Sequence, residues 1–184
     1  MADPVKAWHD EHAHFSRLLN VLDGQVAAFH EGLHPNYDLM RNIVYYLRHF
    51  CDRFHHPRED VAFTRLAERD PAMRLAVSRL RQEHRVIAVT GETLLRYLDD
   101  IAADVVVERA NLEASAAAYL VYYRHHLATE EKEVLPRAAQ FLTKDDWAAV
   151  AAAVPAGPDP LFGEETEARY RELRRYIALE SQAP

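Results

Sequence analysis

Apolar residues recur three and four positions apart along most of the chain, and alternating apolar and polar runs are scarce, a helical pattern. The first stripe is Trp8, Phe15, Leu19, Leu22, Val26 and Phe29, which predicts a helix over about 5–31, ended by Gly32 and Pro35. Val44, Leu47, Cys51, Ala62 and Leu66 predict a second over about 37–68, broken by Asp70-Pro71. Met73, Val77, Leu80, Ile87, Leu94 and Leu98 align a third over about 72–101. Leu112, Ala116, Tyr119 and Tyr123 align a fourth over about 108–142. Thr143 with Asp146 three residues on reads as a capping box opening a short helix to about Ala153. The Pro-rich stretch 155–160 reads as a linker. A last helix over about 163–180 starts acidic, aligns Tyr170, Leu173 and Ile177, and carries Arg174 and Arg175 toward its end, as its dipole favours.

These elements predict an all-α protein: an up-down-up-down four-helix bundle over 1–142, with a helical C-terminal extension, 143–184, packing on it. The stripe of the last helix suits docking on the bundle, or alternatively contact with a second copy in a homodimer.

Each bundle stripe is interrupted by groups that do not belong in an apolar core. His12 sits between Trp8 and Phe15, His55 and Glu59 between Cys51 and Ala62, and His84 between Leu80 and Ile87; His126 and Glu130 follow Tyr123. Burying such groups unpaired costs several kcal/mol each, roughly, and a bound cation satisfies them together. His55 to Glu59 and His126 to Glu130 are both i to i+4, one helical turn apart on one face. The pattern also repeats: His12 to His84 is 72 residues, while His55 to His126 and Glu59 to Glu130 are each 71. Glu11-His12 recurs as Glu83-His84, and His55-His56 as His125-His126. At about 1.5 Å per residue, His12 lies roughly 30 Å from the first turn and His55 roughly 27 Å back from it, so the six groups converge at one level.

Histidine nitrogen with carboxylate oxygen and no thiolate suits iron, manganese or zinc, and six ligands in a repeated arrangement suit two ions better than one. The remaining histidines of the 11, His9, His14, His30, His34, His49, His56 and His125, read as surface or supporting residues. His9 rivals His12 for the inward position, and His56 and His125 compete with their neighbours in the same way. Cys51 reads as a buried, inert thiol, Pro57 should bend the second helix, and Tyr119, Tyr122 and Tyr123 read as core aromatics.

Composition narrows the function classes. With 22 basic against 29 acidic residues, a net of -7, the chain lacks the basic excess that nucleic-acid binding draws on. One cysteine excludes an intrachain disulfide framework or a Cys-rich zinc site. No apolar run approaches the roughly 18 to 20 residues of a membrane span, and Met1-Ala2-Asp3-Pro4 does not open a signal peptide, so a cytoplasmic location is expected.

Four segments resemble the hemerythrin-like proteins with the HHE cation-binding domain: Asp10-Glu11-His12-Ala13-His14-Phe15, Phe54-His55-His56-Pro57-Arg58-Glu59-Asp60, Gln82-Glu83-His84, and the run from His125-His126 through Glu130-Glu131 to Pro136. The resemblance implies a four-helix bundle holding two non-haem iron ions under an oxo or hydroxo bridge. His12, His55, His84 and His126 would be terminal ligands and Glu59 and Glu130 bridges; zinc or manganese are possible substitutes. Oxygen-carrying members have a second histidine four residues from the first on the third helix, whereas the positions four from His84 are Leu80 and Ala88. That departure implies an extra open position. It favours binding or sensing of a small ligand (oxygen, nitric oxide or peroxide) or iron handling over reversible oxygen carriage. A di-iron enzyme acting on peroxide or oxygen, and a metal-stabilised interaction module, are the alternative functions.

Overall fold

The computed structural model describes residues 3–155 and 157–180. The first helix, α1 (Pro4–His30), is capped by Asp3, whose carboxylate accepts from the N–H groups of Val5 and Lys6. It ends at Gly32, whose φ of +79° is left-handed and favours glycine. The second arm is not one regular helix. It is α2 (Tyr37–Tyr46), a π-helical stretch Leu47–His55, and α3 (His56–Arg69). After a 3-10 turn, Pro71–Met73, comes α4 (Arg74–Ala102). The fourth arm repeats the interruption: α5 (Arg109–Thr129), a π-helical turn Glu130–Val134, and α6 (Leu135–Phe141). Adjacent arms pack as an up-down-up-down bundle, α1 beside α2 and α5, and α4 beside α2, α3 and α5. Among the described residues there is no strand, and no helix is long and apolar enough to cross a membrane.

The two π-helical stretches have a common cause. Pro57 and Pro136 each stand one residue into the following α-helix. A proline within a helix lacks an N–H and clashes with the carbonyl four residues back. Widening the turn removes that clash, so the bend expected at Pro57 takes this form. The widening also reconciles a register. Ile43, Leu47, Cys51, His55, Glu59 and Phe63 are spaced by four throughout, and all are fully buried. In a regular α-helix that spacing drifts by about 40° per step, placing the first and last on opposite sides. The π-helical stretch absorbs the drift and keeps the whole series facing inward. His126, Glu130, Val134 and Ala138 repeat the device on the fourth arm.

The extension begins as expected. α7 (Lys144–Ala153) opens with a complete capping box between Thr143 and Asp146, and Asp146 also pairs with Arg69 and Arg65. The last helix, predicted from 163, instead begins at Arg171, as α8 (Arg171–Glu180), after a 3-10 turn Ala168–Tyr170. The intervening backbone is committed elsewhere. Asp159 Oδ1 accepts from the N–H groups of Leu161 and Phe162, and Pro160 O accepts from Glu167. Gly163 is required in this loop, because a Cβ there would stand 2.3 Å from the Asp159 carbonyl oxygen. The loop is tied to the bundle through the Tyr46 hydroxyl, which donates to Asp159 Oδ2 at 2.9 Å. Tyr170, Leu173 and Ile177 are buried in the bundle core, so a homodimer through this helix would have to use its other face.

The apolar interior is divided in two. A larger cluster runs from Phe15, Met40 and Ile43 to Leu94, Tyr119 and Leu173. A smaller one gathers Trp8, Phe63, Leu66, Leu80, Leu135 and Val150. The six interrupting residues fill the level between them.

Candidate metal centre

His12, His55, Glu59, His84, His126 and Glu130 come from all four arms and converge on one buried layer. The imidazoles form two pairs. His12 Nε2 and His55 Nε2 are 2.9 Å apart, and His84 Nε2 and His126 Nε2 are 3.1 Å apart. The two carboxylates lie across both pairs. Glu59 places Oε1 2.9 Å from His55 Nε2 and 3.3 Å from His12 Nε2, and Oε2 3.5 Å from His84 Nε2. Glu130 places Oε1 3.2 Å from His126 Nε2 and Oε2 3.5 Å from His12 Nε2. Each carboxylate thus turns one oxygen toward each pair.

Behind every imidazole stands a second carboxylate. His55 Nδ1 is 2.5 Å from Glu11, His12 Nδ1 2.7 Å from Glu131, His84 Nδ1 3.1 Å from Asp60, and His126 Nδ1 3.3 Å from Glu83. A carboxylate at Nδ1 fixes the proton there, turns the ring, and leaves the Nε2 lone pair facing inward, the usual support for a metal-bound histidine. These four were not read as functional from the sequence, although the signal was present. Glu11 and Glu83 are the acids of the repeated Glu-His step, and Asp60 and Glu131 directly follow the inward carboxylates Glu59 and Glu130. The internal echo therefore extends to the supports. Arg58 holds Glu11 in turn, with Nη2 within 3.0 Å of both carboxylate oxygens.

One further residue belongs to the layer. His56, read as a surface or supporting residue and as a rival to His55, is buried alongside it. Its ring stacks on His84 with centroids 4.2 Å apart, its Nδ1 is 3.1 Å from Asp52 Oδ1, and its Nε2 is buried without a partner. Of the other histidines, His9, His30, His34 and His125 are exposed and His14 and His49 half-buried. His9 does not displace His12; it lies outside, 2.5 Å from Glu131. His125 stands outside Glu83 in the same way. Cys51 is a fully buried free thiol, and burial pushes its pKa up. Tyr119 and Tyr123 are fully buried core aromatics, whereas Tyr122 is exposed.

The layer is built to hold positive charge. Burial disfavours a charged imidazole, but Glu131 and Glu59 override it and raise His12 to about 10, and Asp60, Glu130 and Glu59 raise His84 to about 11. His55 and His126 are raised against burial chiefly by Glu59 and Glu130 respectively. Burial and the charge of Glu59 oppose ionisation of Glu130, yet His126 and His84 hold it at about 2. His56 goes the other way: burial and the neighbouring charge on His84 press it down to about 4.

These residues fit metal cations. With both Nδ1 protons directed at carboxylates, two neutral imidazoles would aim lone pairs at each other across 2.9 Å, so a positive charge must lie between them. Glu59 Oε2 and both Glu130 oxygens are buried without a hydrogen-bond partner, which a cation would satisfy. Donors from His12, His55 and Glu59 form one compact group, and donors from His56, Glu59, His84 and His126 another, each within 4.8 Å; Glu59 belongs to both.

A family model for the hemerythrin HHE cation binding domain matches residues 3–138, a span holding all six converging residues, His56 and the carboxylates behind them. No curated protein and no solved structure matches the chain.

Proposed function

The chain belongs to the hemerythrin HHE cation-binding family, and from that premise we propose that it is a non-haem di-iron protein that binds or senses a small ligand, oxygen, nitric oxide or peroxide, or handles iron. The observation that carries the two-ion reading is the placement of Glu59 and Glu130, each with one carboxylate oxygen toward each histidine pair. In this reading His12 and His55 would hold one ion, His84 and His126 the other, and Glu59 and Glu130 would be shared between the two. The histidine-rich donor set, without thiolate, suits iron, with zinc and manganese as substitutes.

Bound iron would supply Lewis acidity and one-electron redox capacity to a small ligand. The protein's own contribution is orientation and exclusion of water. Glu11, Glu131, Asp60 and Glu83 hold the four rings in the tautomer that presents Nε2. Phe15 and Trp8 pack edge-on against His55, with centroids 4.9 and 6.1 Å away, and Tyr123 packs against His126 at 6.5 Å. That apolar lining on both sides admits a small uncharged molecule more readily than a hydrated ion.

Metal analysis with an absorption spectrum of freshly purified protein tests the reading, followed by anaerobic loading with ferrous iron and titration with oxygen, nitric oxide and peroxide. About two irons per chain and a spectral response to at least one of the three are expected. A single zinc or no metal would overturn it, and a loaded protein silent to all three would overturn the ligand-binding reading in favour of iron handling.

A further inference from the structure

We infer that His56 is a further metal ligand, serving the His84–His126 side of the centre. The inference rests on the two-ion reading. The sequence offers no second histidine on the third arm, since Leu80 and Ala88 flank His84 at four residues on either side. The structure supplies an imidazole at that side from the second arm instead.

Three observations coincide at His56. Its Nε2 is buried and unpartnered, a placement that is unfavourable unless something is bound there. Its Nδ1 lies 3.1 Å from Asp52, repeating the carboxylate support seen behind His12, His55, His84 and His126, and Asp52 is itself fixed by Arg48. Its donor lies within 4.8 Å of donors from His84, His126 and Glu59. Among the described residues, no other histidine outside the four combines a buried inward nitrogen with a carboxylate at the opposite one. His9 and His125 have the carboxylate but are exposed, with side-chain exposures of 43% and 65%. The widened turn ending at His55 lets two consecutive histidines face the same interior, which a regular helix would set about 100° apart.

The ligand set then loses its two-fold symmetry. The residue 71 positions after His56 is Leu127, which has nothing to donate, so the His12–His55 side has no counterpart. Three imidazoles serve one ion and two the other. The His12–His55 side, where Phe15 and Trp8 pack on His55, would then be the side left with fewer protein donors and so the one to accept a small ligand.

The test uses the full chain and ferrous iron under anaerobic conditions, with stepwise chelator competition and X-ray absorption to count imidazoles. The variants are His56→Ala, and His56→Phe as a control that keeps a stacked ring without a donor. Wild type should bind two irons, averaging more than two imidazoles each. Both variants should keep one iron at wild-type affinity, weaken the other by at least the roughly 10-fold that loss of even a supporting partner costs, and lose imidazole scattering. Added imidazole should restore the second iron to His56→Ala, where it finds a cavity, and not to His56→Phe. Two irons at wild-type affinity in both variants, or equal weakening without imidazole rescue, would overturn the inference while leaving the two-ion reading standing. Failure of the wild type to take up a second iron would overturn both.

Discussion

Glu11 makes the role of the supporting carboxylates measurable. It touches no proposed bridging position and acts only through His55, whose Nδ1 it approaches to 2.5 Å while Arg58 grips its other side. Glu11→Gln keeps an oxygen able to accept the Nδ1 proton but removes the charge that raises the basicity of the ring. Glu11→Ala removes both and frees His55 to change tautomer, so that Nε2 would carry the proton instead of the lone pair. Outer partners of metal-bound histidines are worth about 10- to 100-fold in affinity. The glutamine variant should fall near the lower end, about 1.4 kcal/mol, and the alanine variant near the upper, about 2.7 kcal/mol. Only the ion served by His55 should respond. Chelator competition for ferrous iron, read as two separate steps, reports this directly, with Glu133→Ala as an exposed control on the fourth arm. Arg58→Ala should reproduce a fraction of the loss and add little on top of Glu11→Ala, because both act through the same ring. Wild-type affinity in Glu11→Ala at both steps would refute the assignment of Glu11 as a support. Equal loss at both steps would show that the carboxylate acts on the bundle as a whole.

Four other outcomes are expected. Glu59→Gln should cut bound iron at least about twofold by elemental analysis, since Glu59 is the residue shared by both donor groups. Gly91→Ala should destabilise the protein by up to about 2 kcal/mol in chemical denaturation despite its better helix propensity, because the new Cβ would stand 2.8 Å from the ring of the buried Tyr119 and 2.7 Å from the Arg48 side chain. Asp146→Ala should cost about 1–2 kcal/mol through loss of the capping box that seats α7. Arg69 holds the Asp146 carboxyl below the usual carboxylate range, against burial and with help from Thr143 and Arg65. A depressed folded-state pKa gives stability that is fully present above the unfolded value, about 3.9, and lost as pH falls toward the folded one. The wild type should therefore lose more stability below about pH 4 than Asp146→Asn does, the remaining loss in the variant coming from the other depressed carboxylates such as Glu130.

The bundle and its converging polar residues were legible because they violate a strong pattern. A histidine between Trp8 and Phe15, or a glutamate between Cys51 and Ala62, stands out against a helical stripe, and four such violations at one height invite a common explanation. His56 was not legible in the same way. One residue from His55, it falls off the stripe of a regular helix, and only the π-helical turn before Pro57 brings it inside. The strict spacing by four from Ile43 to Phe63, combined with that proline, was the available clue. The supports were hidden by ordinariness. Glu11, Asp60, Glu83 and Glu131 are partly exposed acids on charged helix faces, and their partners lie across the bundle, except where the chain echo repeats them. The start of the last helix was misplaced for a local reason: an acidic run after Gly163 looks like a first turn, but the N–H groups of Leu161, Phe162 and Gly163 leading into it are held by Asp159, and that of Glu167 by the Pro160 carbonyl.

The division of the interior into two apolar clusters has a consequence for how the molecule comes apart. Each of the four arms crosses the polar layer once, and the extension serves both sides, α7 sealing the Trp8 end and α8 the opposite end. Without a cation, the layer joins the two halves through charged groups that cost free energy to keep dry. With one bound, ligands from different arms are fastened together across it, and binding becomes part of folding. Metal content is then a control on cooperativity. The loaded chain should open as one unit in hydrogen exchange, whereas the metal-free chain should let the smaller Trp8 half exchange before the larger, turning the centre into the seam along which the protein first gives way.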